Sequence, residues 1–149
     1  MNSMSATRFL DTNVIVYAHD SADPAKQAAA QQLITDAMRQ GDGTISTRVL
    51  GEFFHTVAVR RKLMTAAEAL LIIEGLEAGL HVLSVTPPLG KEAVATHQRY
   101  QLSYWDSLII AAARDTGCTE VHSENLSDGQ DYGGVVVVNP FGAPKPVTS

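Results

Sequence analysis

Arg8-Phe9-Leu10-Asp11-Thr12-Asn13, followed by Val14-Ile15-Val16-Tyr17-Ala18, is the stretch whose reading decides the fold. A short, largely apolar run ends on an acid and two small polar residues. That pattern predicts a buried strand to about residue 11 and then a strand-to-helix turn. The next helix starts at Asp23-Pro24, an N-cap acid followed by proline in the first helical position. It runs through an alanine-rich stretch to Arg39 and ends at Gly41-Asp42-Gly43. Thr44-Ile45-Ser46 predicts a second strand. From Thr47 to about Lys62, Val49, Leu50, Phe53, Phe54, Val57 and Ala58 recur at helical spacing. Thr65 caps a further helix to Glu77 or Ala78, closed by Gly79.

His81 to Val85 predicts a third strand, stopped by Pro87-Pro88, and a helix follows over roughly 91–101. Ser103-Tyr104-Trp105-Asp106 opens another helix that continues to Gly117. It is apolar nearly all round, which places it deep in the protein. Thr119 to Ser123 and Val135 to Val138 give strands four and five. Strands alternating with helices predict a parallel sheet covered on both faces, an α/β architecture. No repeat or linker divides the chain. The expectation is one domain over 1–149, with an ordered core of about 7–141 and a C-terminal tail over 142–149.

Composition narrows the function. The 149 residues are 45% apolar and 18% charged, which suits a folded globule. A net charge of −5 argues against a generic polyanion binder. It leaves room for an enzyme that meets phosphate through a metal, because a bound divalent ion reverses the local field. No run approaches the roughly 18 apolar residues of a membrane span. The N-terminus lacks the layout of a signal peptide, and Cys118 is the sole cysteine, a small packing residue. These features point to a cytoplasmic, reduced protein with no membrane partner.

In parallel sheets ligands bind beyond the carboxyl ends of the strands. Asp11 ends strand one, and Glu124, Asn125 and Asp128 follow strand four. Glu52 lies in the second turn of one helix and Asp106 in the first turn of another. Acids from distant chain points thus come to one edge of the sheet. Without a local basic partner they would repel one another unless a cation sat between them, and hard oxygen ligands suit Mg²⁺ or Mn²⁺. Each acid also has a plainer role. Asp11 could N-cap the following helix, and Ser103-x-x-Asp106 could be a capping box. A solvated glutamate at the edge of an apolar stripe is commoner than a catalytic one, and Glu52 falls about 60° from Val49 on the helical wheel. Asp128, beside Gly129, suits a turn. It is the joint placement that favours a site.

Other chemistries fit less well. The five histidines lack His-Glu-x-x-His spacing, and there is no glycine-rich phosphate loop and no Gly-x-Ser-x-Gly elbow.

Three segments resemble PIN-domain ribonucleases: Phe9 to Val14, Ser46-Thr47 with Gly51-Glu52-Phe53, and Tyr104 to Ala113. Ser123-Glu124-Asn125-Leu126, Gly129-Gln130 and Val138-Asn139-Pro140-Phe141 extend the resemblance over nearly the whole chain. The most similar group is the VapC-type toxins of bacterial toxin–antitoxin pairs. The resemblance implies a five-stranded parallel sheet and a Mg²⁺- or Mn²⁺-dependent endoribonuclease site. Asp11, Glu52 and Asp106 match three of the family's acids. The fourth position, aspartate in many members, is Asn125 here, so Glu124, Asp128 or the Asn125 amide could fill that role. On this basis Asp11 and Asp106 are the metal ligands, and Glu52 ligates through water or orients the nucleophile. Thr12 and Asn13 bond the carboxylates or the phosphate, and Arg48 and Arg60 meet RNA phosphates. A solvated helix end explains Arg60-Arg61-Lys62 as well. The resemblance also implies a homodimer and a cognate antitoxin. Broad apolar faces around Phe53-Phe54 and Leu70-Leu71-Ile72-Ile73 could seat such a partner, or could be core on two sides. Two other functions share these residues: a PIN-fold binding module impaired in catalysis, and a metal-dependent phosphatase or 5′-nuclease.

Overall fold

The computed structural model describes residues 7–142. All of the tail expected over 142–149 except Gly142 lies outside the described residues. Five short strands form one parallel sheet: β1 (Arg8–Leu10), β2 (Gly43–Ser46), β3 (His81–Leu83), β4 (Glu120–His122) and β5 (Val136–Val138). Their order is β3-β2-β1-β4-β5. The chain therefore winds outward from β1 to β3, returns, and winds outward again on the other side. The strand order reverses between β1 and β4, and there the loops after the two strands diverge and leave a crevice.

Six helices cover the sheet: α1 (Thr12–Tyr17), α2 (Pro24–Gln40), α3 (Thr47–Phe54), α4 (Ala66–Gly79), α5 (Pro87–Tyr100) and α6 (Tyr104–Asp115). α1 packs on α2 and α3, α3 packs on α4, and α5 packs on α6. Right-handed crossovers place the first four on one face and the last two on the other. Phe9, Leu10, Ile45, Val121 and Val137 fill the sheet layer. Val14, Ile15, Val49, Phe53 and Val57 close one face and Ile110 to Ala113 the other, all buried. The depth expected of α6 is thus observed, and Cys118 is a buried packing residue. No helix among the described residues is long and apolar enough to cross a membrane.

Several elements differ from the sequence-based expectation. The helix expected from 47 to 62 is α-helical only to Phe54 and continues as a π-helical segment, His55–Arg60. Val49, Phe53 and Val57 keep their buried stripe across the junction, while the wider turn carries Arg60 to the grooves on either side of Glu52. α5 begins at Pro87 rather than near Lys91. Thr86 caps it by accepting the Leu89 N–H at 3.4 Å, and the two prolines occupy first-turn positions that need no donor. The third and fourth strands are three residues each, not five.

Local signals hold elsewhere. Asp23 accepts the Lys26 N–H at 3.2 Å to start α2, and Gly41, at φ +70°, ends it in the left-handed conformation. Gly43 is needed for close approach, because a Cβ there would lie 2.7 Å from that of Ala37.

His122, at the end of β4, is buried, with Nε2 3.0 Å from Glu120 and Nδ1 unpartnered. Burial pushes its pKa below the usual 6.5, only partly offset by Glu120. The unfolded chain then binds this proton at higher pH than the native state. The contribution to stability is therefore complete above about 6.5 and lost as pH falls through the depressed native value. Melting temperatures measured from pH 7.5 to 5 should fall less for His122→Gln than for the parent. Parallel curves would contradict this assignment.

Candidate active site at the switch point

Asp11 ends β1 and N-caps α1. Its Oδ1 accepts the Thr12 N–H at 2.7 Å, and Oδ2 accepts Ser123 Oγ at 2.7 Å and Asn13 Nδ2 at 3.2 Å. The residue is only 5% exposed. Burial pushes its carboxyl above the usual carboxylate range. The Ser123 and Thr12 bonds oppose that shift, while the charges of Glu52 and Asp106 reinforce it. Asp11 is a cap, then, but one that two other acids crowd.

Glu52 projects from the second turn of α3. Its Oε1 accepts Thr12 Oγ1 at 2.9 Å and pairs with Arg48 one turn earlier. The Arg48 guanidinium lies 4.2 Å from the centre of the Trp105 ring. The sequence-based premise that these acids lack a local basic partner is thereby corrected: i,i+4 spacing delivers Arg48 to Glu52.

Asp106 sits in the first turn of α6, where Ser103 Oγ accepts its N–H at 3.1 Å. The reciprocal bond from the Ser103 N–H to the Asp106 carboxylate, present in the complete box of Thr65 and Glu68, is not made here. The carboxylate instead lines a cavity of about 110 Å³ with Asp11, Glu52, Asn125, Thr12, Asn13, Arg48 and Trp105.

Of the residues singled out from sequence, Glu124 and Arg60 lie outside that cavity. Both line an adjoining groove of about 540 Å³. Glu124 accepts Tyr17 Oη at 2.8 Å and pairs with Lys26, whose ammonium lies 4.8 Å from the Tyr17 ring centre. Burial alone would raise the Glu124 carboxyl, but the Lys26 and Tyr17 bonds outweigh it and hold it low. Asp128 accepts the Asn139 N–H at 2.9 Å and serves a turn.

Ser123 escaped the sequence analysis as a site residue. It donates to Asp11 and accepts the Asn125 N–H at 3.1 Å, so one hydroxyl fixes both sides of the crevice. Asn13 does similar work, donating to Asp11 and accepting the Glu124 N–H at 3.2 Å. The available signal was position: a small polar residue just beyond β4 faces the end of β1. Ser123→Ala should leave Asp11 under-bonded and lower any activity of this site about 10–100-fold, the usual cost of losing a partner that orients a ligand. Activity equal to the parent would show that Asp11 needs no such support.

The donor set can be tested against a divalent cation. Among the described residues, no three acidic, histidine or cysteine side chains form a ready-made metal cluster. Arg48 already balances Glu52. Asp11 and Asp106 remain, and Asn125 lines the same cavity. Two carboxylates completed by water and substrate oxygens form the coordination Mg²⁺ commonly accepts, so the residues fit.

Fold and crevice together define a doubly wound α/β domain with an acidic site at its switch point. Residues 8–126 match the PIN domain, and the chain belongs to the PIN-domain family. No curated protein sequence matches it. Among solved structures it is similar to Mycobacterium tuberculosis VapC20, a sarcin–ricin-loop-cleaving toxin. The identity is 22% and the TM-score 0.62, over 80% of this chain and 90% of that one. A toxin–antitoxin complex from Klebsiella pneumoniae matches at 20% identity and TM-score 0.63, over 91% and 98%. DNA-bound VapBC from Salmonella typhimurium matches at 16% and 0.65, over 89% and 97%.

Proposed function

We propose that this protein is a metal-dependent endoribonuclease, the toxin of a toxin–antitoxin pair. The observation that carries the proposal is the convergence of Asp11, Asp106 and Glu52 on one small cavity at the switch point. Membership of the PIN family and the toxins among its structural neighbours support it.

Asp11 and Asp106 would hold Mg²⁺ or Mn²⁺, with Asn125 contributing its amide oxygen or a bound water. The ion would supply an acidified water and neutralise charge building on the phosphoryl oxygens during in-line displacement. Ser123, Thr12 and Asn13 keep the Asp11 carboxylate aimed into the cavity. Glu52, once a substrate phosphate competes for the Arg48 guanidinium on its Trp105 face, orients the attacking water and receives its proton. Arg48 and Arg60 meet the RNA phosphates, providing local positive charge on an acidic protein. Glu124, tied to Lys26 and Tyr17, braces the loop after β4.

Because crowded carboxylates bind cations preferentially in the native state, millimolar Mg²⁺ or Mn²⁺ should raise the melting temperature. Asp11→Asn should largely abolish the rise. A parent melting curve unmoved by metal would contradict the site.

The antitoxin would dock as an amphipathic helix in the groove of about 330 Å³ between α2 and α4, lined by Ile34, Met38, Ile72 and Leu76. Leu70 and Leu71 of α4, 55% and 69% exposed, lie outside that groove and show only that the apolar run of α4 is not all core. We also propose a cytoplasmic homodimer. Light scattering at tens of micromolar should give twice the chain mass, and a strict monomer would remove that element alone.

A further inference from the structure

We propose that Trp105 and Arg48 form a stacking subsite that takes one unpaired nucleobase of the RNA beside the scissile phosphate. The inference rests on the ribonuclease reading and assigns the side chains that hold a base next to the cut.

Tryptophan side chains are highly buried on average in folded proteins. Trp105 is 55% exposed although it immediately precedes Asp106. Arg48 lies over its ring at 4.2 Å, and Tyr104 meets it edge-on at 4.9 Å between ring centres. The indole is therefore held in one orientation with surface to spare. Trp105, Arg48 and Glu52 line both the acid cavity and an open groove of about 710 Å³, so the two are continuous. Arg60 and His55 also line that groove, and among the described residues Arg60 has no ion-pair partner.

An aromatic face flanked by guanidinium groups complements a base joined to a phosphate better than it complements an apolar helix. Aromatic and arginine planes are the surfaces on which splayed-out RNA bases stack. A base inside a duplex presents no free face, so the subsite selects loops and single strands. Here the base lies against the exposed indole, extending the Arg48–Trp105 stack, and Arg60 meets a neighbouring phosphate.

Trp105 is the protein's sole tryptophan, so its emission reports on this subsite directly. The test uses Asp11→Asn protein in EDTA, where binding is read without cleavage. A short single-stranded oligoribonucleotide should quench the emission, whereas its duplex and an abasic oligomer of equal length should quench it far less. In anisotropy titrations of the labelled single strand, Trp105→Ala should bind about 5- to 150-fold more weakly, the range for one stacked base. Trp105→Phe, which keeps an aromatic face, should recover most of the affinity. Equal quenching by the abasic oligomer, or unchanged affinity in Trp105→Ala, would overturn the subsite. So would a Trp105→Ala protein that loses its dimer while binding RNA normally, since the indole would then serve a protein contact. Base-dependent quenching by a parent protein that cleaves no RNA in Mg²⁺ would overturn the nuclease reading and leave the subsite standing.

Discussion

Asp106→Asn is expected to lower RNA cleavage by at least about a hundredfold without destabilising the protein. The size of the loss follows from removing a group that holds charge-stabilising metal at the reacting phosphate. The stability result follows from what the carboxylate does and does not touch. It makes no reciprocal capping bond to Ser103, and its charge is one of those that raise the Asp11 carboxyl. Replacing it with an amide keeps the backbone cap and relieves repulsion, so the metal-free melting temperature should hold or rise. A helix cap predicts the reverse, a loss of up to about 1 kcal/mol with cleavage intact. Melting and cleavage measured on one preparation separate the two.

Phe53→Ala is expected to cost about 3–5 kcal/mol, or roughly 10 °C or more in melting temperature. Phe53 is fully buried on α3, in the stripe shared with Val49 and Val57, and the His19 ring meets it edge-on at 5.7 Å. Its removal leaves a cavity beneath the helix that carries Glu52. Leu71→Ala, at a site 69% exposed, should change stability by no more than about 0.5 kcal/mol. Comparable losses from the two would mean that the packing of α3 is misassigned.

How much was legible in the sequence depended on how local the cause was. Asp11 could be placed because an apolar run, an acid and a helical pattern follow one another within ten residues. Glu52 could be placed because Val49, Phe53 and Val57 set which side of α3 faces the core. The Ser103 cap was equally visible, but only three dimensions show that the Asp106 carboxylate declines its half of the box. Arg48 was read as a phosphate contact, although its i,i+4 spacing to Glu52 already offered the ion pair. Lys26 and Glu124 are brought together by the return of the chain to β4, and no local pattern announces that pairing. The π-helical segment was hidden for another reason. Its residues have the same apolar spacing as an α-helix, so no local pattern distinguishes the two.

Cleavage of a defined single-stranded RNA by the purified protein tests the central claim most directly. The reaction would be run in Mg²⁺, in EDTA, and in EDTA followed by excess Mg²⁺. Cleavage is expected in the first, none in the second and restored cleavage in the third, with Asp11→Asn and Asp106→Asn at least about a hundredfold slower than the parent wherever Mg²⁺ is present. Cleavage that persists in EDTA, or that survives both substitutions, would contradict it, as would intact RNA in Mg²⁺ with a protein shown to be folded.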